Sequence, residues 1–354
     1  MEPVTHFLTG ACLARAGLNR KSALATATVT LAAEAPDLDV LGELKSRVFG
    51  FAHHRGFTHS FLGIALVSAV VVGFVYVIWR LRGCRLNDPN LPPRWGMLFG
   101  FAYLAGLSHI LLDYTNNYGV RPFWPFSERW ISWDIVFVVE PVLLVILTLG
   151  LIVPALFSLI NEEIGSGRKQ TNPAGRLAAT LALLGVIAYW GLRDYEHRRA
   201  VGALEARNYK GANAIRVSAY PYWVNPFRWH GVVETRYFFA TMDVDSLAPE
   251  VDPRGEMQVR YKPEETAVTL AAKKSYLGRV YLSWAQYPLT ETEQLANGPV
   301  DDTRPAYLVR FRDLRYEYPG RSGRATLGAF VLLTRDLRVV EDEMGTGSTR
   351  AKVR

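Results

Sequence analysis

His53-His54-Arg55-Gly56-Phe57-Thr58-His59-Ser60 leads without a break into Phe61–Trp79, a run with no charged residue. A bilayer core is crossed by about 20 predominantly apolar residues, so the run reads as a membrane-spanning helix. Three imidazoles and a guanidinium stand at its mouth. This stretch sets the fold class, a helical membrane protein, and poses the functional question of what the histidines hold.

Further apolar runs follow. A second span extends from about Gly96 to Leu112, contains His109 and ends at Asp113. The polar, aromatic loop Tyr114–Trp133 carries Trp124-Pro125-Phe126 and Trp130, residues suited to the membrane–water interface. A third span runs from about Ile135 to Phe157, with Glu140 near its start. A polar linker, Asn161–Arg176, precedes a fourth span from about Leu177 to Leu192. Beyond Arg193 the apolar runs shorten. Ile215–Tyr220, Gln258–Tyr261 and Ala306–Arg312 alternate with period two, as half-buried strands do. The expected fold class is an α-helical integral membrane domain of about four transmembrane helices plus N-terminal interfacial helices, followed by a small β-rich soluble domain. The expected boundaries are 1–192 for the membrane-embedded metal-site domain, 193–204 for a linker, 205–343 for the β-rich domain and 344–354 for a disordered tail.

Upstream of the histidines, Phe7–Gly17 is interrupted by Arg15, and Ser22–Ala33 is built from Ala, Thr and Val. Neither is long enough to span. They read as two short helices with a turn at Gly17–Lys21, either lying in the membrane interface or packed as a hairpin on the rest of the domain. Pro36 disfavours helix at the residue before it. Asp37 and Asp39 follow on non-helical backbone, where two carboxylates can turn toward one cation or simply face solvent.

The 354 residues carry a formal net charge of +7, from 40 Lys and Arg against 33 Asp and Glu. That balance suits an anionic membrane surface, so membrane lipids are expected partners. The basic residues are interspersed with acids and form no basic arm, and no nucleic acid is expected. Cys12 and Cys84 are the only cysteines, which excludes a disulfide framework and a C-x-x-C motif.

Four spans place the polar residues without reference to absolute orientation. His53, His54 and His59 precede the first span. The second span returns to that side, so His109 and Asp113 near its end share it. Glu140, at the start of the third, and the Asp37/Asp39 pair share it too. Ionisable groups within spans are costly and face a cavity or a partner. His109 and Asp113 are four apart and occupy one helix face. A divalent cation would unite these groups. Mixed imidazole and carboxylate donors favour zinc, with manganese or iron as alternatives, and the number of donors allows one or two ions.

The residues also carry a resemblance. His-Arg-Gly-Phe-Thr-His-Ser at 54–60 resembles the signature of the YdjM-like family of membrane-bound metal-dependent hydrolases. The match includes Thr5-His6, Pro36-Asp37-Leu38-Asp39, Leu107–Asp113 and the segment from Tyr118-Gly119 to Trp124-Pro125-Phe126, in order over about residues 1–160. More distantly, the family is similar to zinc-dependent phospholipase C in its all-helical metal site. The resemblance implies His6, Asp37, Asp39, His54, His59, His109 and Asp113 as metal ligands. Glu34 departs from the family, which more often has an apolar residue there.

The expected function is a membrane-bound hydrolase acting on a phosphoester, with a phospholipid as one substrate class. Arg55 would pair with phosphate oxygens or with Asp37 or Asp39, and Glu140 or Glu34 would serve as general base. Thr58 and Ser60 are expected to cap the following helix. The rival reading is a non-catalytic scaffold or ion-handling protein with a structural metal. The expected location is a bacterial-type inner membrane, crossed several times. Arg80, Arg82, Arg85, Arg94, Arg168, Lys169 and Arg176 argue for a cytoplasmic face opposite the site, and Arg15, Arg20, Lys21, Lys45, Arg47, Arg55, Arg193, Arg198 and Arg199 argue the other way, so orientation stays open with a lean to an extracytoplasmic site. An even number of spans puts the C-terminal domain on the site's side, where it is free to recruit a protein partner.

Overall fold

The computed structural model describes residues 1–86, 88–163, 173–295, 304–318 and 327–345, with the backbone alone for 157–163 and 173. The expected tail lies outside the described residues from position 346 onward. The chain divides into two compact units: Met1–Asp39, Arg55–Tyr195 and Trp223–Asn225 form the first, and Val40–His54, Glu196–Tyr222 and Pro226–Arg354 form the second.

The first unit is helical. Helix α1 (Pro3–Arg15) starts with proline in its first turn, where the missing N–H costs nothing, and Glu2 caps it by accepting from Thr5 N. Helix α2 (Ala25–Glu34) returns along it. Gly10 permits their close approach, since a Cβ there would stand 2.8 Å from that of Ala33. The hairpin is packed inside the bundle. Ala14, Val29, Ala32 and Ala33 share a core with Ala102 and Ala105, and Cys12 shares another with Leu112, Leu143 and Leu147. Small side chains let helix backbones meet closely where no long apolar face is available. Of the two readings the residues allowed, the structure takes the packed hairpin.

After α2, 3-10 turns over Ala35–Leu44 carry Asp37 and Asp39. Helix α3 (Arg47–His53) belongs to the second unit. The turn Phe57–His59 leads into α4 (Phe61–Leu81), which Ser60 caps by accepting from Gly63 N at 2.9 Å. Helix α5 (Trp95–Thr115) follows, then α6 (Pro141–Glu163) and α7 (Pro173–Glu205). Among the described residues, Phe61–Leu81, Trp95–Thr115 and Ala174–Glu205 are long and apolar enough to cross a membrane, and Pro141–Leu156 is a shorter apolar helix. The third expected span begins later than its apolar run. Ile135 and Val136 spend their N–H groups on Thr115 O, outside the helix.

The second unit holds two antiparallel sheets. Strands β1 (Arg216–Pro221), β2 (Arg228–Glu234), β3 (Phe238–Asp245) and β4 (Glu250–Val251) pair in order, with β5 (Gln258–Tyr261) also on β3. Helices α8 (Ala267–Lys274) and α9 (Tyr276–Trp284) precede the second sheet, β6 (Pro288–Gln294), β7 (Tyr307–Asp313), β8 (Ala329–Leu333) and β9 (Val339–Met344). Helices α8 and α9 lie in a region expected to be β-rich, and Thr266 and Ser275 cap them in the usual way. Residues 193–204 are not an open linker. They continue α7, because Ala200 and Leu204 are buried with Trp229 and Val233. Residues 40–54 also depart from the expected boundary. Phe51 of α3 packs edge-on against Trp284 of α9 at 5.2 Å.

Candidate metal centre

Separate stretches of chain deliver the site. Asp37 comes from the 3-10 turns after α2, His59 from the turn before α4, and His109 and Asp113 from successive turns of α5. The four residues each offer a ligand atom, and these atoms lie within 4.8 Å of one another. His59 Nε2 is 3.0 Å from His109 Nε2. Asp37 Oδ1 is 3.3 Å from His59 Nε2 and 3.5 Å from His109 Nε2, and Asp113 Oδ2 is 3.4 Å from each. Zinc bonded to nitrogen and oxygen at about 2.0–2.1 Å spaces tetrahedral ligands by about 3.3 Å. Five of the six spacings match that edge.

The far sides of the two rings set their tautomers. His109 Nδ1 lies 2.6 Å from Ala33 O, so it donates there and presents the Nε2 lone pair to the site. His59 Nδ1 is 3.1 Å from Asp39 Oδ2, with the same consequence. Asp39 Oδ2 also accepts from Thr58 Oγ1 and from the Arg55 backbone N–H. Two imidazole lone pairs facing each other between two carboxylates call for a positive charge in their midst. Burial works against charging His59, but its bonds to Asp113, Asp37 and Asp39 outweigh burial and push the ring up to about 10. Burial likewise opposes the ionisation of Asp37, yet hydrogen bonds from His109 and His59, made when their Nε2 atoms carry a proton, hold it well below the usual carboxylate range. A proton or a divalent ion meets this demand. Asp113 Oδ2 is buried and faces both Nε2 atoms at 3.4 Å, as a ligand atom would.

His6 stacks on His109, with ring centroids 3.7 Å apart, and its Nε2 is 3.5 Å from Asp113 Oδ1. Both its ring nitrogens are buried and lack hydrogen-bond partners among the described residues. Burial, aided by His109, pushes the ring down to about 3, so it is a neutral imidazole with open nitrogens beside the four. Arg55 is committed elsewhere than to a substrate. Its Nη2 donates to Asp113 Oδ1 at 2.9 Å, its Nη1 to Gly119 O at 3.0 Å and Asn116 Oδ1 at 3.3 Å, and it lies over the Tyr118 ring. The amino group of Met1 pairs with the same Asp113 oxygen.

The structure therefore sorts the expected site residues. Asp37, His59, His109 and Asp113 converge, with His6 against them. Asp39 sits one layer out and orients His59, and Arg55 orients Asp113 in place of a phosphate. His54 is not among the converging four. It closes α3, and the backbone turns at Arg55, at a φ of 52°, so that Arg55 is buried while His54 is half-exposed. Glu140 is also elsewhere. Its carboxylate accepts from Tyr189 Oη at 3.1 Å and Phe137 N at 3.3 Å, and burial raises its pKa. Glu34 stays half-buried beside the cluster, raised to about 7 by burial and by Asp37, and its Oε1 is buried with no hydrogen-bond partner among the described residues. Asn116 and Thr58 were missed as orienting groups. Asn116, three residues past Asp113, was the legible one.

The family model described as YdjM inner membrane protein matches residues 1–199. The uncharacterized protein YfhP of Bacillus subtilis (strain 168) is 26% identical over 149 residues, 40% of this chain and 42% of that protein. The chain thus spans less than half the length of that relative. No solved structure matches. The family model takes in more than half of the 354 residues and every converging side chain, and the chain belongs to the YdjM inner membrane protein family.

Proposed function

We propose that this membrane protein is a zinc-dependent hydrolase of phosphoesters, with phospholipids as the nearest substrate class. The observation that carries the reading is the pair of Nε2 lone pairs of His59 and His109, set 3.0 Å apart between Asp37 and Asp113. A divalent ion held by these four would supply Lewis acidity toward water and a phosphoryl oxygen. The remaining roles fall to the chain itself. Asp39 and the Ala33 carbonyl hold the two rings in the ligating tautomer, and Arg55 holds Asp113. His59, His109 and Asp113 are fully buried, whereas the Asp37 side chain is 18% exposed, so substrate would approach from the Asp37 side. Glu34, three residues from Asp37 and felt by it, would move a proton there. Exposed Phe57, Phe61, Phe123 and Phe126 near the start of α4 favour a lipid. The arginine-rich loop after α4 favours a site facing away from the cytoplasm.

One observation favours a second reading, a structural ion in a non-catalytic scaffold or ion-handling protein. Four protein donors at tetrahedral spacing form a closed set, as structural zinc sites do. Metal analysis of the purified protein, with turnover assayed on phospholipid and generic phosphoester substrates, separates the two. Stoichiometric zinc with hydrolysis lost in His59→Ala supports the enzyme. Stoichiometric zinc without turnover on any of these substrates sinks it.

A further inference from the structure

A second polar feature of the first unit lies far along α4 from the histidines. A cavity of about 510 Å³ opens beside the last turns of that helix and the start of α2. Small-molecule sites occupy about 300–1,000 Å³. Leu31, Phe74 and Ile78 line it, and Arg82 and Arg85 stand on its lining as well. Both arginines are exposed and make no ion pair among the described residues. The acid on the lining, Asp88, accepts from the Asn90 backbone N–H at 2.8 Å, and two guanidiniums against one carboxylate leave the site positive. Trp79 and Asn19 also stand on the lining.

The depth of the cavity says which kind. Trp95 packs edge-on against Tyr76 at 5.0 Å and tilted against Trp79 at 5.5 Å, across the end of α4 and the start of α5. Such an aromatic group marks the headgroup level of a membrane. Helix α4 has 21 residues. At about 1.5 Å per residue it separates this level from His59 by a bilayer core, so the cavity is no part of the metal centre. Apolar walls, free arginines and interfacial depth match a lipid whose headgroup is negative.

We infer that this cavity binds a phospholipid with an anionic headgroup. Arg82 and Arg85 pair with the headgroup phosphate. An acyl chain lies on Leu31, Phe74 and Ile78. The bound lipid bridges α2 and α4.

The test uses the full chain in detergent, titrated with phosphatidylglycerol, phosphatidylcholine or inorganic phosphate and followed by native mass spectrometry and thermal unfolding. Phosphatidylglycerol is expected to bind one to one and raise Tm, with no such response to phosphatidylcholine. Arg82→Gln/Arg85→Gln is expected to weaken that binding at least tenfold. Arg335→Gln/Arg338→Gln removes the same charge from the second unit and leaves affinity unchanged. Equal response to both lipids, unchanged affinity in the Arg82/Arg85 variant, or the whole stabilisation reproduced by inorganic phosphate overturns the assignment.

Discussion

His59 Nε2 and His109 Nε2 stand 3.0 Å apart, each turned inward because its Nδ1 is engaged on the far side, His59 by Asp39 and His109 by the Ala33 carbonyl. Ligands and orienting groups in this arrangement respond differently to substitution. Asp37→Asn or His109→Ala removes a donor, and stoichiometric metal is expected to be lost. Asp39→Asn leaves all four donors in place and weakens metal affinity about 10–100-fold, with full occupancy recovered at excess metal. Metal content after dialysis against a graded chelator series distinguishes the two classes. Equal behaviour of Asp37→Asn and Asp39→Asn contradicts the layering.

Arg55 reaches Asp113 with one guanidinium nitrogen and Gly119 O and Asn116 with the other. A lysine keeps the charge but cannot span these acceptors. Arg55→Lys is therefore expected to lower metal affinity by about 10–100-fold, the loss typical of a group that orients a ligand. Chelator competition measures it, and an affinity equal to that of the unaltered chain counts against the orienting role.

Glu140 serves packing. Glu140→Ala leaves the Tyr189 hydroxyl and the Phe137 N–H without their acceptor, at a cost of about 1–3 kcal/mol. Bound metal is expected to stay stoichiometric while Tm falls. Loss of metal without loss of Tm would return Glu140 to the site.

Gly63 lies where the first turn of α4 meets the His59 turn, and a Cβ there overlaps the Phe57 carbonyl oxygen. Gly63→Ala must push that turn away, at a cost of about 1–3 kcal/mol, and it drags His59 with it. Lower Tm and weaker metal binding are expected together. Gly73→Ala, which meets nothing within 4 Å, is the matched control.

In the second unit, burial pushes His230 down to about 4, although its Nε2–H donates to Leu314 O at 2.9 Å and Asp243 and Asp313 act in the opposite direction. An unfolded chain protonates this residue near its ordinary value of about 6.5, so between about 6.5 and 4 the unfolded state binds the extra proton. Stability is expected to fall as pH drops through that window, by up to about 3 kcal/mol. Denaturant titrations followed by tryptophan fluorescence check this. The slope of stability against pH should flatten in His230→Gln, and an unchanged slope rules the residue out.

The membrane class was legible in the residues, because uncharged runs are local patterns, and so is the i, i+4 pair His109 and Asp113. The three strands read from alternation, now β1, β5 and β7, were local patterns too. Which polar groups meet was settled by contacts distant in sequence. His54 and His59 look alike as residues, but the turn at Arg55 buries one neighbour and leaves the other half-exposed. Asp37 and Asp39 differ only in where a 3-10 turn aims them, one at the Nε2 atoms and one at Nδ1. Arg55 became an orienting group once Asp113, Asn116 and Gly119 closed around it, and Glu140 left the site once Tyr189 claimed its carboxylate. Local sequence sets the chemical character of a side chain and the element it rides on. Only tertiary packing decides which buried polar atom finds its partner and which is left open for an ion.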